Sequence, residues 1–174
     1  MGNISNCYAH GSIKSDNSNL GGIAGKTKGT IKNNFSFVNI SSSSDNIGGI
    51  VGNNSTGNNY YVEKNLAIGN IYSSSSSENI GNISGNLKSQ TENYAYEGQL
   101  INGYKNISGG RTLTFEELIR ENTYLNYLEM QNLNFEKIKE GILPKLYNST
   151  TNELLPNQED INLKSDNKFN INNI

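Results

Sequence analysis

The chain has few of the residues on which several common protein classes depend. Its 174 residues include one cysteine, one histidine, two prolines and no tryptophan, and only 17% of them are charged. One cysteine excludes an intrachain disulfide framework, and no apolar run reaches the length of a membrane helix. The net charge of −2 argues against a strongly charged disordered chain, and the pI of about 5.5 argues against a nucleic-acid-binding protein.

Small and polar residues dominate instead, with 32 Asn, 20 Ser and 18 Gly. This composition leaves two alternatives open. One is a Ser- and Asn-rich disordered segment, and the other is a set of short strands separated by many turns. No basic region followed by an apolar stretch begins the chain, so no signal peptide is visible in it.

Self-similarity favours the strands. Residues 20–25 (LGGIAG) match residues 47–52 (IGGIVG) at an offset of 27, and residues 80–85 (IGNISG) form a degenerate third copy. The glycines of this structural repeat motif are Gly21, Gly22, Gly25, Gly48, Gly49, Gly52, Gly81 and Gly85. They are expected to permit a tight bend or a close approach between copies.

A second motif alternates with the first. Residues 8–13 match residues 35–40, again at an offset of 27, then residues 66–71 at a further 31, and residues 93–96 open a fourth copy. Each motif has alternating apolar positions, which is typical of a half-buried strand. Stacking the copies would form two apolar columns, one of Leu20, Ile47 and Ile80 and the other of Ile13, Ile40 and Ile71.

The predicted fold class is therefore all-β. We expect a right-handed parallel β-helix or related β-solenoid of three to four coils, with a short α-helical C-terminal cap and a closing strand. Two serine runs, residues 41–44 and 73–77, are interpreted as insertions that bulge from one edge of the stack.

The composition changes near residue 110. Residues 1–110 carry a net charge of +1 and residues 111–174 a net charge of −3, and Leu becomes more frequent. Thr114 and Glu117 fit a capping box at the start of a short helix, a second helix or turn is expected from Thr123, and Gly141 should precede the closing strand near Pro144. These helices are expected to cover the open end of the stack.

Three regions follow from these observations. They are solenoid repeats over residues 3–110, a helical cap with the closing strand over 111–158, and a disordered tail or linker over 159–174.

Few side chains suggest a chemical site. His10 is expected on the surface of a strand and Cys7 on the core face. Asp16, Asp45 and Glu78 precede the glycine motif and are read as solvated turns, with a calcium-binding or sugar-degrading carboxylate ladder as the alternative. A sugar-stacking face of tyrosines (Tyr8, Tyr60, Tyr61, Tyr94 and Tyr96) is considered and disfavoured against ordinary core and surface positions. The glycine motif has no following Lys-Ser/Thr, so it does not predict a nucleotide site.

The repeat resembles the GLUG motif, through Gly21, Gly22, Ile23, Ala24 and Gly25 and through a preceding strand with Asn6, Tyr8, Ala9, Gly11 and Ile13. Such repeats are found in bacterial surface adhesins and in the non-catalytic region of IgA1-specific zinc metalloendopeptidases. The segment 133–146, with Gly141, Pro144 and Leu146, is similar to the strand that closes the β-helical region of those proteases. The tryptophan expected before that segment is absent.

The resemblance implies a non-catalytic β-helical spacer or substrate-docking module of a bacterial surface or secreted zinc metalloendopeptidase. Because Ile4 already lies inside a repeat, the chain is expected to be a fragment of a longer protein. The chain lacks an HExxH sequence, so no catalytic, metal or cofactor residue is transferred to it. The expected partners are a host glycoprotein or the parent protein's own protease domain, with no nucleic acid and no membrane span. The alternatives are an adhesin module that binds a glycoprotein or polysaccharide, and a polysaccharide-degrading β-helical enzyme.

Overall fold

A computed structural model shows a chain built mainly of short strands. It describes residues 2–54, 61–75, 79–86, 90–102, 109–147, 151–154 and 158–163. The strands of these ranges are β1 (Asn3–Ser5), β2 (Tyr8–Ser15), β3 (Leu20–Gly21), β4 (Ala24–Thr27), β5 (Thr30–Lys32), β6 (Phe35–Ser42), β7 (Ile47–Gly48), β8 (Val51–Asn54), β9 (Val62–Glu63), β10 (Leu66–Ala67), β11 (Ile71–Ser73), β12 (Ile80–Gly81), β13 (Ser84–Asn86), β14 (Gln90–Thr91), β15 (Tyr94–Tyr96), β16 (Arg111–Leu113), β17 (Leu133–Asn134) and β18 (Lys145–Leu146). The helices there are short: α1 (Phe115–Leu118), a π-helix (Thr123–Tyr127) and a 3₁₀-helix (Ile138–Glu140). The protein is therefore all-β in its main part, as the sequence predicts.

The first sixteen strands form four parallel sheets. Sheet A has the strand order β1-β5-β9-β14, sheet C the order β3-β7-β12, and sheet D the order β4-β8-β13. In sheet B, β6 pairs with β2, β10 and β11, and β15 and β16 continue from β10. Apart from β16, neighbouring strands in these sheets come from successive sequence repeats, so each repeat adds one layer to all the sheets it reaches.

The strand register confirms the alignment made from the sequence. Tyr8 pairs with Phe35, Phe35 with Leu66, and Leu66 with Tyr94. The two predicted apolar columns are also paired: Ile13–Ile40–Ile71 in sheet B, and Leu20–Ile47–Ile80 in sheet C. The 27-residue offset therefore fixes the register of two sheets.

The interpretation of residues 41–44 as an insertion is wrong. Ser41 and Ser42 belong to β6, where they pair with Lys14 and Ser15 of the preceding repeat. Since the offset is 27 on both sides of this run, the first two repeats are equal in length and need no bulge. In the other serine run, Ser73 is the last residue of β11 and pairs with Ser42, whereas residues 76–78 lie outside the described residues.

Two apolar clusters lie between the sheets. The cluster between sheets B and C contains both predicted columns, with Ile40, Ile47, Ile71, Ile80, Val38 and Ile101 buried and Ile13 and Leu20 partly buried. The second cluster contains Ile31, Ile50, Val51, Val62, Ala67 and Ile83 from sheets A, B and D and their turns. In both clusters the residues of the first repeat are less buried than their equivalents in the second.

The glycine motif lies where neighbouring repeats touch. A Cβ at Gly49 would lie 2.2 Å from the Asn82 carbonyl oxygen and 2.8 Å from the Ala67 Cβ, so no larger residue fits without moving the next repeat. Gly21, Gly48 and Gly81 are paired in sheet C. Gly25, Gly52 and Gly85 lie within the strands of sheet D, and Gly22 and Gly49 lie in the turns between sheets C and D.

Local features of the C-terminal third follow the sequence closely. The Thr114 side chain accepts from the Glu117 N–H, and the Glu117 side chain accepts from the Thr114 N–H, which is the predicted capping box. The π-helix begins at Thr123, and Gly141 ends the 3₁₀-helix with a φ of 87°. After it, β18 pairs antiparallel with β17.

The position of this segment differs from the expectation. Residues 114–163, the cover segment, pack against one lateral face of sheet B instead of the open end of the stack. Phe35, Phe37, Leu66 and Ile68 point to that face and share one core with the cover residues, which include Leu118, Tyr124, Leu128, Met130, Ile138, Leu143 and Leu146. The physical reason is that sheet B is apolar on both faces, so its outer face also needs burial.

The first residues of the predicted tail, 159–163, are part of the cover segment. Ile161 and Leu163 are buried in the cover core, and the Leu143 N–H donates to the Ile161 carbonyl at 2.9 Å. Residues 164–174 lie outside the described residues. No helix in the described part of the chain combines the length and apolar character that crossing a membrane would require.

Candidate functional site

A column of buried asparagines crosses the repeats at the start of sheet B. Asn34, Asn65 and Asn93 occupy equivalent positions, each immediately before the apolar residue that opens the strand, and each is at most 3% exposed. We call these three residues the Asn ladder. The sequence alone does not reveal it, because these three asparagines do not stand out in an Asn-rich chain.

Every rung of the Asn ladder is bonded to the next. The Asn34 Nδ2 donates to the Asn65 Oδ1 at 2.9 Å, and the Asn65 Nδ2 donates to the Asn93 Oδ1 at 3.0 Å. The same acceptors receive the backbone N–H groups of Asn34 and Asn65 at 3.2 Å. The remaining amide hydrogens reach the carbonyls of Ile4, Ile31 and Val62 in sheet A. The ladder therefore satisfies the backbone of the corner between sheets A and B.

The residue before each rung has a left-handed backbone. The φ angles are 53° at Asn6, 56° at Asn33, 53° at Lys64 and 51° at Glu92. This conformation is common for Asn and costly for most other residues. The repeated turn explains part of the asparagine content, because a corner of this shape is needed in every repeat.

Cys7 occupies the ladder position of the first repeat. The Cys7 N–H donates to the Asn34 Oδ1 at 2.9 Å, and the Cys7 thiol lies 3.2 Å from the Ser5 carbonyl oxygen. The equivalent contact in a later repeat is the hydrogen bond from the Asn65 Nδ2 to the Glu63 carbonyl at 2.9 Å. The Cys7 side chain is half-buried, whereas full burial was expected. Cys7 is thus the terminal position of a structural column.

Replacing Cys7 by asparagine should extend the ladder by one rung. The new amide could donate to both the Asn34 Oδ1 and the Ser5 carbonyl, so we expect unfolding free energy to rise by about 1 kcal/mol. Urea unfolding of the Cys7→Asn variant measures this change. Cys7→Ser is the matched control, because serine is too short to reach both acceptors, and equal stability of the two variants would argue against the ladder interpretation.

Two further polar columns run parallel to the ladder. The Asn39 Oδ1 accepts from the Asn70 N–H and the Asn70 Oδ1 from the Leu100 N–H, both at 2.8 Å. At the end of sheet B, the hydroxyls of Ser15, Ser42 and Ser73 each accept from the N–H two residues later. These contacts give the serine and asparagine runs a structural role at the corners.

The isolated candidates for catalysis are not brought together. His10 is exposed, as expected for a surface position on a strand, with its ring 5.6 Å from that of Phe37. Within the described ranges, no three His, Cys, Asp or Glu side chains are placed to hold a metal ion.

The carboxylates do not align as a ladder. The residue one repeat after Asp16 is Ser43 and not Asp45. The Ser43 hydroxyl donates to the Asp16 carboxylate at 2.9 Å. Glu78 lies outside the described residues. The solvated-turn interpretation of Asp16 and Asp45 is the one that this register favours.

The tyrosines do not share one open face. Tyr8 stacks on Phe35 with ring centroids 5.3 Å apart, and Tyr94 stacks on Tyr127 of the cover segment at 5.7 Å. Tyr96 also packs against the cover core, whereas Tyr61 is exposed and Tyr60 lies outside the described residues. Tyr94 and Tyr96 therefore pack against the cover segment, whereas Tyr8 stacks on the neighbouring repeat.

A groove lies where the cover segment meets the left-handed corners of the repeats. Its volume is about 720 Å³, within the range of small-molecule sites. We call it the corner groove. Its walls are formed by Asn6, Asn33, Leu125, Glu129, Met130, Gln131, Asn132, Leu146 and Tyr147. Sequence reasoning did not find it because its two sides come from segments about 100 residues apart.

Contacts to the repeats hold one wall of the corner groove in place. The Asn33 Nδ2 donates to the Glu129 carbonyl oxygen at 3.3 Å, and Lys64 forms an ion pair with the Glu129 carboxylate. This carboxylate raises the pKa of Lys64 above its usual value. Glu129 and Asn132 both have a positive φ, of 49° and 58°, so the wall is a defined turn.

An ion-pair cluster ties the end of the cover segment together. The Asp160 carboxylate lies 2.7 Å from the Lys137 ammonium and 2.6 Å from that of Lys145. The hydrogen bond from Lys137, followed by that from Lys145, lowers the pKa of Asp160 below its usual value. Charged Asp160 therefore favours the folded state.

This arrangement predicts a pH dependence. Because the folded pKa is lowered, the stabilisation is present above the unfolded value of about 4 and is lost as pH falls through the lower folded value. Asp160→Asn should be slightly less stable than the natural chain at pH 7 and equal to it at the acid end. Melting temperatures of both proteins between pH 2 and 7 measure this, and a constant difference across the range would contradict it.

Comparison with protein-family models, with curated proteins and with solved structures found no match. The described geometry defines an all-β protein of parallel sheets with one laterally attached cover segment.

Proposed function

We propose that the four parallel sheets are the walls of one β-solenoid, and that the chain is a non-catalytic spacer or substrate-docking module of a bacterial surface or secreted protein. The observation that carries this proposal is the continuous register of successive repeats in sheets A to D. Such stacking builds a rigid rod whose length grows with the number of repeats, and that suits spacing and presentation.

The parent protein in this proposal is related to the IgA1-specific zinc metalloendopeptidases. The support is the resemblance of the repeat to the GLUG motif, whose residues in β2 and β3 pair with their equivalents in the next repeat. The closing segment lends further support, because Gly141 precedes β18 and Pro144 lies directly before that strand. The proposed location is the cell surface or the extracellular space.

An adhesin module is the second candidate. The corner groove favours it, since a spacer needs no concave site. On this alternative the groove or the exposed corners would bind a glycoprotein or a polysaccharide, and no protease domain would be associated with the chain.

Surface plasmon resonance with immobilised IgA1, combined with gel analysis of the IgA1 heavy chain, tests the docking role. The proposal expects saturable binding with the heavy chain left intact. Cleavage by this chain alone would contradict the non-catalytic role. Absence of binding would contradict docking and leave the spacer role, which predicts an HExxH sequence elsewhere in the parent protein.

A further inference from the structure

The lining of the corner groove is rich in groups that both donate and accept hydrogen bonds. Four of its nine residues carry a side-chain amide: Asn6, Asn33, Gln131 and Asn132. Tyr147 adds a phenol, whose oxygen accepts from the Asn134 Nδ2 at 2.7 Å. Amides and phenols match the hydroxyl groups of sugars, which also donate and accept.

Apolar surface lies beside these groups. Leu125 is 42% exposed although it belongs to a short helix on the cover segment. Met130 and Leu146 line the same groove but are buried in the cover core, so Leu125 supplies most of its accessible apolar surface. A sugar ring has a face of C–H groups, so a site with apolar surface and several polar side chains suits a pyranose.

The charge of the groove favours an uncharged ligand. Among the described residues that line it, Glu129 is the one that carries a charge, and Lys64 already pairs with it. An anionic ligand would be repelled by the Glu129 carboxylate, and a cationic ligand would have to displace Lys64 from its ion pair with Glu129. The described lining therefore offers no free charge with which to attract an anion or a cation.

The lining also argues against a peptide added as a β-strand. Asn6, Asn33, Glu129 and Asn132 have left-handed backbones and lie at turns. Strand addition needs a row of unpaired backbone groups along one edge, whereas these turns present side chains. At Asn132 the carbonyl is occupied by the Tyr147 N–H at 2.7 Å.

We infer that the corner groove is a binding site for a neutral oligosaccharide of two to four sugar units. This inference deepens the docking role proposed above and rests on it. Leu125 would lie against a ring face, and Gln131, Asn132 and Asn6 would bond the hydroxyls. Turns held by Asn33 and Lys64 would keep these groups in place before the ligand arrives.

Titration calorimetry with chitotetraose, cellotetraose and maltotetraose tests the inference. At least one should bind, and the double variant Leu125→Ala/Gln131→Ala should bind it about tenfold more weakly, which corresponds to 1.4 kcal/mol. Leu154→Ala is the matched control, since Leu154 is 45% exposed and lies outside this groove. Melting temperatures of all variants establish that they are folded.

Binding to none of the three sugars would overturn the inference, as would equal affinity of the double variant and the control. IgA1 treated with glycosidases separates this inference from the docking role. If deglycosylated IgA1 is bound while no sugar is, docking stands and the groove assignment falls. If neither is bound, both fall. Binding of an uncharged hexapeptide that is lost in the double variant would assign the groove to peptides and overturn the sugar.

Discussion

Replacing Asn65 by alanine is expected to lower the free energy of unfolding by about 3 kcal/mol. The Asn65 amide donates to the Ile31 and Glu63 carbonyls at 2.9 Å, and its Oδ1 accepts from Asn34. Removing it leaves buried donors and acceptors on both neighbouring repeats without partners. Chemical denaturation followed by circular dichroism measures the loss.

The exposed Asn126 supplies the matched control. Asn126→Ala should change the free energy of unfolding by no more than about 0.5 kcal/mol, as is usual for surface substitutions. If Asn65→Ala were as mild as this control, the Asn ladder would not be a major determinant of stability.

An isosteric change at the same position gives a pH signature. In Asn65→Asp, burial and the facing oxygens would raise the folded pKa of the new carboxyl above its unfolded value of about 4. Stability relative to the natural chain would then be greatest below pH 4 and would fall as pH rises above it. If Asn65→Asp were less stable than the natural chain by the same amount at every pH, this result would argue against burial of position 65.

Replacing Tyr124 by alanine is the second change with a large expected effect, a loss of about 3 to 5 kcal/mol. The Tyr124 ring is fully buried, lies edge-on to Phe35 at 6.0 Å, and donates its hydroxyl to the Leu118 carbonyl at 3.0 Å. Burial raises the pKa of this phenol well above its usual value. The substitution removes the side chain that joins the cover segment to sheet B.

Two variants separate the contributions of Tyr124. Tyr124→Phe keeps the ring and loses the hydrogen bond, so a loss of about 1 kcal/mol is expected. Tyr61→Ala is the control for removing a tyrosine, because that side chain is 47% exposed. A loss in Tyr124→Ala no larger than in Tyr61→Ala would contradict the lateral packing of the cover segment on the repeats.

The register of sheets B and C was predictable because their residues carry the repeat. Ile13, Ile40 and Ile71 share a position in consecutive copies, and a two-residue periodicity marks them as facing one side. Sheet A was not found, since its short strands carry no recurring sequence motif: Ile4, Ile31 and Val62 are single apolar residues in three of them, and β14 is Gln90–Thr91.

The Asn ladder and the corner groove could not be predicted without the three-dimensional structure. Asn65 differs from a surface asparagine only in its burial, which the sequence does not display. The sequence does contain a signal for the outer face of sheet B. Phe35 and Phe37 alternate with Ser36 and Val38, so apolar residues occupy both faces of the strand. That pattern predicts a cover on the second face, although it does not say which segment provides it.

Disulfide trapping between neighbouring repeats tests the stacked register most directly. Lys26 and Asn53 are paired in sheet D, and Cα atoms of paired residues in adjacent strands lie about 4.8 Å apart, within the reach of a disulfide. In a Cys7→Ser background, Lys26→Cys/Asn53→Cys should oxidise rapidly to an intramolecular disulfide. The pair Lys26→Cys/Asn54→Cys is shifted by one residue and points to opposite faces, so it should remain reduced. Equal oxidation of the two pairs would contradict the stacked repeats.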